Sequence, residues 1–122
     1  MKILIAEDEP LMAAALAGAL KSEGYEVIVA TDGREALKII ETESPNLLIT
    51  DILMPFTSGL ELIGIIKSNH TTQIPVIVLS GMGLEDTVME AFELGADDFL
   101  TKPFNPAELS MRVKRALRIT KK

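Results

Sequence analysis

Five short apolar runs recur along the chain, each the length of one buried strand and each parted from the next by a stretch of helical spacing. They are Lys2–Ala6 (KILIA), residues 25–30 (YEVIVA), 47–50 (LLIT), 74–79 (IPVIVL) and 98–100 (DFL). Parallel strands need a crossover between them, and a helix is the usual one. Strict alternation therefore predicts an α/β chain: a single doubly wound five-stranded parallel sheet with five helices, right-handed crossovers and both faces covered.

The helices carry their own start and stop signals. The first runs from Pro10 to about Glu23, with Leu11, Met12, Ala15, Leu16, Ala19 and Leu20 expected on its inner face and Gly24 as cap. Asp32 with Glu35 forms a capping box for a helix to about Glu43, which Ser44 and Pro45 end. Ser58 with Glu61 opens a third helix to about Ser68, and residues 84–94 form a fourth before Gly95. Asn105 as N-cap, Pro106 and Glu108 start a fifth that runs to about Thr120. No repeat, low-complexity stretch or linker interrupts the pattern, so residues 1–122 read as one domain, any further domain being absent or removed.

Composition narrows the function classes. No apolar run is long enough to span a bilayer, and MKILIAEDEP is too short and too acidic for a signal peptide. There are no cysteines, so disulfides and thiolate-held metals are excluded and a cytoplasmic, membrane-free protein is expected. The net charge is -6, against a direct nucleic-acid footprint. Six of the 12 basic residues lie beyond Phe104, where Glu108 is the only acid, which fits a solvated last helix. Residues 1–104 are left with 6 bases and 17 acids, a setting suited to collecting a cation.

In a parallel sheet all strands end on one rim, and such rims hold ligands. Reading the strand ends brings together Glu7 and Asp8, then Asp51, then Ser80 with Gly81, and Lys102 before Pro103. Singly, each is ordinary: acids at a strand end are often a solvated rim or a helix cap, and a lysine before proline is often surface. Together they define a chemistry. Three close carboxylates invite a hard divalent cation, magnesium or manganese, with Asp8 and Asp51 as direct ligands, Glu7 acting through water and the Leu53 backbone carbonyl adding an oxygen. A phosphoryl group in transfer needs its equatorial oxygens neutralised: one by the metal, one by Lys102, one by the Ser80 hydroxyl and nearby backbone N–H groups. Asp51 is then the nucleophile, giving an acyl phosphate.

These residues resemble the receiver domain of two-component response regulators, the chemotaxis-regulator-like module. The matching pieces are Glu7-Asp8, DILMP from Asp51 to Pro55 with Gly59, VLSG from Val78 to Gly81, and GADDFLTKPF from Gly95 to Phe104. The match covers essentially the whole chain, and the last motif is the most specific. The resemblance implies a flavodoxin-like fold with strand order 2-1-3-4-5. It implies that a sensor histidine kinase or a histidine phosphotransfer protein phosphorylates Asp51, with slow self-catalysed loss and no other enzyme activity. It implies a switch in which Ser80 moves toward the phosphate, Phe99 follows inward, and the helix 4/strand 5/helix 5 face is read by an effector domain or protein, or by a second copy in a phosphorylation-dependent homodimer.

The chain departs from the family pattern in three places. Gly81 stands where alanine is common and leaves room at the phosphoryl; Phe99 has no hydroxyl; helix four carries Glu85, Asp86, Glu90 and Glu93 and no base, although Asp97, Asp98 and Arg112 remain available for pairing. Two other classes fit the residues less well. A magnesium-dependent aspartyl phosphohydrolase usually has a second Asp two residues after its nucleophile, where Leu53 stands; a phosphorylation-independent pseudo-receiver has usually lost an acid or the lysine. His70 is expected to be a surface loop residue, the six methionines core filler, Phe92 and Phe104 packing residues, and Phe56 either a shield at the site or loop packing.

Overall fold

The computed structural model describes residues 1–54, 57–68, 74–81 and 85–119. In order these form β1 (Lys2–Ala6), α1 (Pro10–Lys21), β2 (Glu26–Ala30), α2 (Gly33–Glu43), β3 (Leu47–Asp51), α3 (Gly59–Ser68), β4 (Val76–Ser80), α4 (Glu85–Leu94), β5 (Asp98–Thr101) and α5 (Pro106–Ile119). All four strand pairings are parallel and the order is β2-β1-β3-β4-β5, as the resemblance implies. Phe56 and His70 lie outside the described residues.

Alternation along each strand divides the core in two. Leu4, Leu48, Val76 and Val78 face α2, α3 and α4 with Ala36, Ile40, Leu62, Ile63, Ile66, Val88 and Ala91. Ile3, Ile5, Leu47, Ile49, Ile77, Leu79 and Leu100 face α1 and α5 with Leu16, Leu20, Leu109, Val113 and Ala116. β1, β3 and β4 are therefore apolar on both sides, as inner strands of a parallel sheet are. Each such aliphatic side chain contributes roughly 1.5–3 kcal/mol by leaving water.

The helix ends follow the expected chemistry closely. The Asp32 carboxylate accepts from Glu35 N–H at 2.9 Å, while Glu35 reaches back to Thr31 N–H at 2.8 Å. Ser58 and Glu61 bond reciprocally, at 3.2 and 3.5 Å. The Asn105 side chain accepts from Ala107 and Glu108 N–H at 2.8 and 3.1 Å. Gly24 (φ +93°) closes α1, letting Tyr25 N–H reach the Leu20 carbonyl, so β2 starts one residue later than expected. β3 and β5 each run one residue further than expected, to Asp51 and Thr101, and β4 begins past Pro75, which has no N–H for the ladder.

Two expectations need correction. The buried face of α1 is Ala13, Leu16, Ala17 and Leu20; Leu11 is 83% exposed and Ala15 is also outside. Alanines surround this helix, so its apolar stripe has no sharp edge, and the sheet selects the phase. The methionines are not generally core filler. Met1, Met89 and Met111 are exposed, and only Met12 and Met54 among the described ones pack against the core. Phe104 does pack as expected.

Candidate functional site

β1, β3, β4 and β5 end together on one rim, with Ala6 beside Thr50, Asp51 beside Leu79, and Ser80 beside Thr101. The residue after each end carries the polar chemistry, or in β3 and β4 the last residue itself does. The structure brings Glu7, Asp8 and Asp51 together, one carboxylate oxygen from each lying within 4.8 Å of the others. Glu7 is 1% exposed and Asp51 8%, whereas Asp8 faces solvent. A shallow cleft of about 340 Å³, lined by Asp8, Leu53, Met54 and Ser58, opens beside them.

Lys102 arrives from β5 and bridges the acids. Its Nζ lies 2.5 Å from Asp51 Oδ2 and 3.0 Å from Glu7 Oε1. Its backbone N–H donates to the Ser80 carbonyl at 2.8 Å, which ties the lysine to the end of β4, and the Lys102–Pro103 peptide is cis. The other Asp51 oxygen accepts from Ile52 N–H at 2.7 Å. Ser80 is 2% exposed, and its hydroxyl has one long bond, 3.5 Å to the Gly81 carbonyl, so little holds it in place. A Cβ at Gly81 would meet no atom of the described residues within 4 Å.

At Gly59 the rim requires glycine. Gly59 N–H donates to the Ile52 carbonyl at 2.8 Å, and a Cβ at Gly59 would collide with the Asp51 carbonyl oxygen and come within 2.8 Å of Ile52 Cα. The start of α3 thus lies directly against the backbone of Asp51.

The electrostatics are those of charges crowded into a partly dry site. The Glu7 carboxyl is pushed up to about 7, first by burial and then by hydrogen bonding and charge at Asp51, against the pull of Lys102. Burial opposes the charge on Lys102, but its ion pairs with Asp51 and Glu7 outweigh this and raise its pKa above the ordinary lysine value. Glu7 Oε1 is buried with no hydrogen bond: the lysine supplies charge nearby without an aligned N–H. An unsatisfied buried oxygen in a converging set of hard carboxylate oxygens fits a small divalent cation.

Sequence reasoning missed what surrounds Phe99. Asp98 is paired with Arg112 of α5 at 2.6 Å, the guanidinium lies 5.8 Å from the Phe99 ring centre, and Phe92 of α4 meets Phe99 edge-on at 6.0 Å. The Asp98 hydrogen bond raises the Arg112 pKa above its usual value despite burial. Asp97 bonds Lys67 at 2.9 Å and Val76 N–H at 2.8 Å. The groups left open for pairing with another molecule are therefore engaged within the chain. Only the phenylalanines' spacing, Phe92 to Phe99 across the Gly95 turn, hinted at this cluster.

A five-stranded sheet in this order, with three acids and a lysine on its rim, defines a class, and comparison with known proteins names it. Residues 3–114 match the family described as response regulator receiver domain, and the chain belongs to that family. It is 40% identical over 117 residues to the alkaline phosphatase synthesis transcriptional regulatory protein PhoP of Bacillus subtilis, covering 96% of this chain and 48% of that protein. It is 41% identical over 119 residues to the phosphate regulon transcriptional regulatory protein PhoB of Pseudomonas aeruginosa, covering 97% and 52%. The chain thus spans about half the length of these curated relatives. Among solved structures, a putative response regulator from Chloroflexus aurantiacus superposes with a TM-score of 0.93 at 37% identity, covering 96% of this chain and 97% of that one. The signal receiver domain of a signal transduction histidine kinase from Syntrophus aciditrophicus gives 0.92 at 38%, covering 99% and 92%. The fold is flavodoxin-like. Among the described residues no helix is long and apolar enough to cross a membrane.

Proposed function

We propose that residues 1–122 act as one receiver unit, a phosphorylation switch in which Asp51 takes a phosphoryl group from a phosphohistidine of a sensor histidine kinase or a histidine phosphotransfer protein. The observation that carries this is the Asp51 carboxylate, 8% exposed on the rim, ion-paired to Lys102 and within reach of Glu7 and Asp8. A carboxylate oxygen of Asp51 attacks phosphorus; the P–N bond breaks and its electron pair stays on the imidazole nitrogen. Lys102, moving from Asp51 Oδ2 to the incoming phosphoryl oxygen, holds charge that develops there, and the Ser80 hydroxyl turns to donate to another oxygen. Loss of the group is the attack of water on phosphorus, which returns the carboxylate and inorganic phosphate.

Asp8 and Asp51, with the Leu53 carbonyl and Glu7 through water, would hold Mg2+ or Mn2+. When bound, the cation neutralises phosphoryl oxygen charge and relieves the repulsion among the acids. The output face is α4, β5 and α5, through Ser80 and Phe99, with an effector domain, an effector protein or a second copy as its reader and the cytoplasm as its setting. The chain catalyses only the gain and loss of its own phosphate.

Intact mass after incubation with acetyl phosphate tests this. The expected result is a magnesium-dependent gain of one phosphoryl group, absent in Asp51→Ala. A folded, magnesium-binding protein that forms no adduct, and does not respond to beryllofluoride, would overturn it.

A further inference from the structure

Phe99 is half-buried on β5 and packs against the α2/α3/α4 side of the core. Two groups hold its ring. Phe92 meets it edge-on, with centroids 6.0 Å apart and planes at 89°. The Arg112 guanidinium lies over it, 5.8 Å from its centre, within the range of a cation–π contact.

Arg112 is itself steered by acids. Its Nη1 donates to Asp98 Oδ1 at 2.6 Å, and the same oxygen accepts from Phe99 N–H at 2.9 Å. Glu108, one turn earlier on α5, lies 3.5 Å from Nη2. Yet the pairing is incomplete: Arg112 Nε and Asp98 Oδ2 are both buried, and neither has a hydrogen bond among the described residues. A guanidinium and a carboxylate pair best through two parallel bonds. Here they make one, through Nη1, whereas the orphaned Nε and Oδ2 are atoms that a side-on pair through Nε and Nη2 would use. Two arrangements are therefore in competition. In one the guanidinium covers the ring and leaves two orphans. In the other it turns side-on to Asp98 and gives up the ring.

We propose that Arg112 is a positioning residue, a latch by which α5 holds Phe99 in its resting place until the rim changes. This rests on the reading that phosphorylation of Asp51 is what moves Phe99. A phenylalanine offers no hydroxyl to hold; its ring face is a handle, and Arg112 uses it. Release lets Arg112 and Asp98 form the two-point pair, so the buried orphans of the resting state vanish as the ring leaves. The resting latch lowers the population of the phosphate-accepting conformation, and removing it raises that population and the phosphorylation rate together.

The test uses the whole chain and four variants: Arg112→Ala, Arg112→Lys, Phe99→Leu and the Phe99→Leu/Arg112→Ala double variant, with the exposed Lys114→Ala as control. Ring-to-ring NOEs between Phe92 and Phe99 are read in unphosphorylated protein, and the acetyl phosphate rate is read by intact mass. Arg112→Ala is expected to weaken the NOE at least threefold and speed phosphorylation about threefold or more. Arg112→Lys restores part of both, and in the Phe99→Leu background removal of Arg112 leaves the rate unchanged. An NOE and a rate equal to wild type in Arg112→Ala would overturn the latch, as would an equal rate gain in the Phe99→Leu background. If Arg112→Ala does not fold, Arg112→Lys carries the same comparison, with a smaller loss expected and no change overturning. Failure of wild type to take phosphate sinks the functional reading instead, and the NOE alone then decides the latch.

Discussion

Glu7 is the residue whose protonation most directly couples stability to ligand binding. Its carboxyl is pushed up to about 7 in the folded, metal-free chain, against an ordinary 4.5. The folded state therefore holds this proton more tightly than the unfolded state does. The stability this contributes is present below the ordinary value and is lost as pH rises through about 7. Metal-free melting temperature should fall between pH 5 and 8, and Glu7→Gln should flatten that slope. Added Mg2+ should stabilise more at pH 8 than at pH 5.5, because a cation needs the acid ionised; thermal denaturation with and without the ion reads both effects. Lys102 belongs to the same balance. Lys102→Ala should slow phosphorylation by acetyl phosphate by roughly a hundredfold to a thousandfold, the scale of losing one charge-stabilising donor, with any residual adduct still on Asp51 by mass.

At the scale of elements, the rim is held by how α3 and α5 begin. Gly59→Ala places a methyl against the Asp51 carbonyl and Ile52 Cα. The expected cost is about 1–3 kcal/mol, with a matching loss of phosphorylation because the acceptor's own backbone must move; urea denaturation and intact mass check the two. Asn105→Ala removes the acceptor for Ala107 and Glu108 N–H and should cost about 1 kcal/mol, without altering phosphate uptake. These starts were legible in the sequence because caps are local: Asp32, Ser58 and Asn105 bond partners only two or three residues away. The phase of α1 was not, because alanine on several sides gives the helix no strong preference and the sheet decides. The rim acids were legible as strand ends. That Lys102 would touch both Glu7 and Asp51, and that Arg112 would cover Phe99, was not, since such distances depend on how whole elements pack.

For the whole molecule, one sheet serves two cores, and its inner strands have no solvent face. Leu48→Ala, on the α2/α3/α4 side, and Ile49→Ala, on the α1/α5 side, are each fully buried and should each cost about 2–5 kcal/mol in denaturant unfolding. Leu11→Ala, at an exposed position, should fall within about 0.5 kcal/mol of wild type. The two-layer packing was legible from alternation alone. The strand order was not: it came from the family resemblance, because local pattern says which segments are strands and not which lie side by side.

The bridge between Lys102 and the acids has a consequence for how the chain is made. Glu7, Asp8 and Asp51 are all synthesised before Lys102, which lies 51 residues beyond Asp51, just past the end of β5. A chain in which only β1 to β3 had formed would bring three acids together without Lys102 to compensate them. Such a rim would repel itself. Docking of β5, which brings Lys102 to the rim, would discharge the repulsion, so the charge pattern favours closing the sheet on its β5 edge.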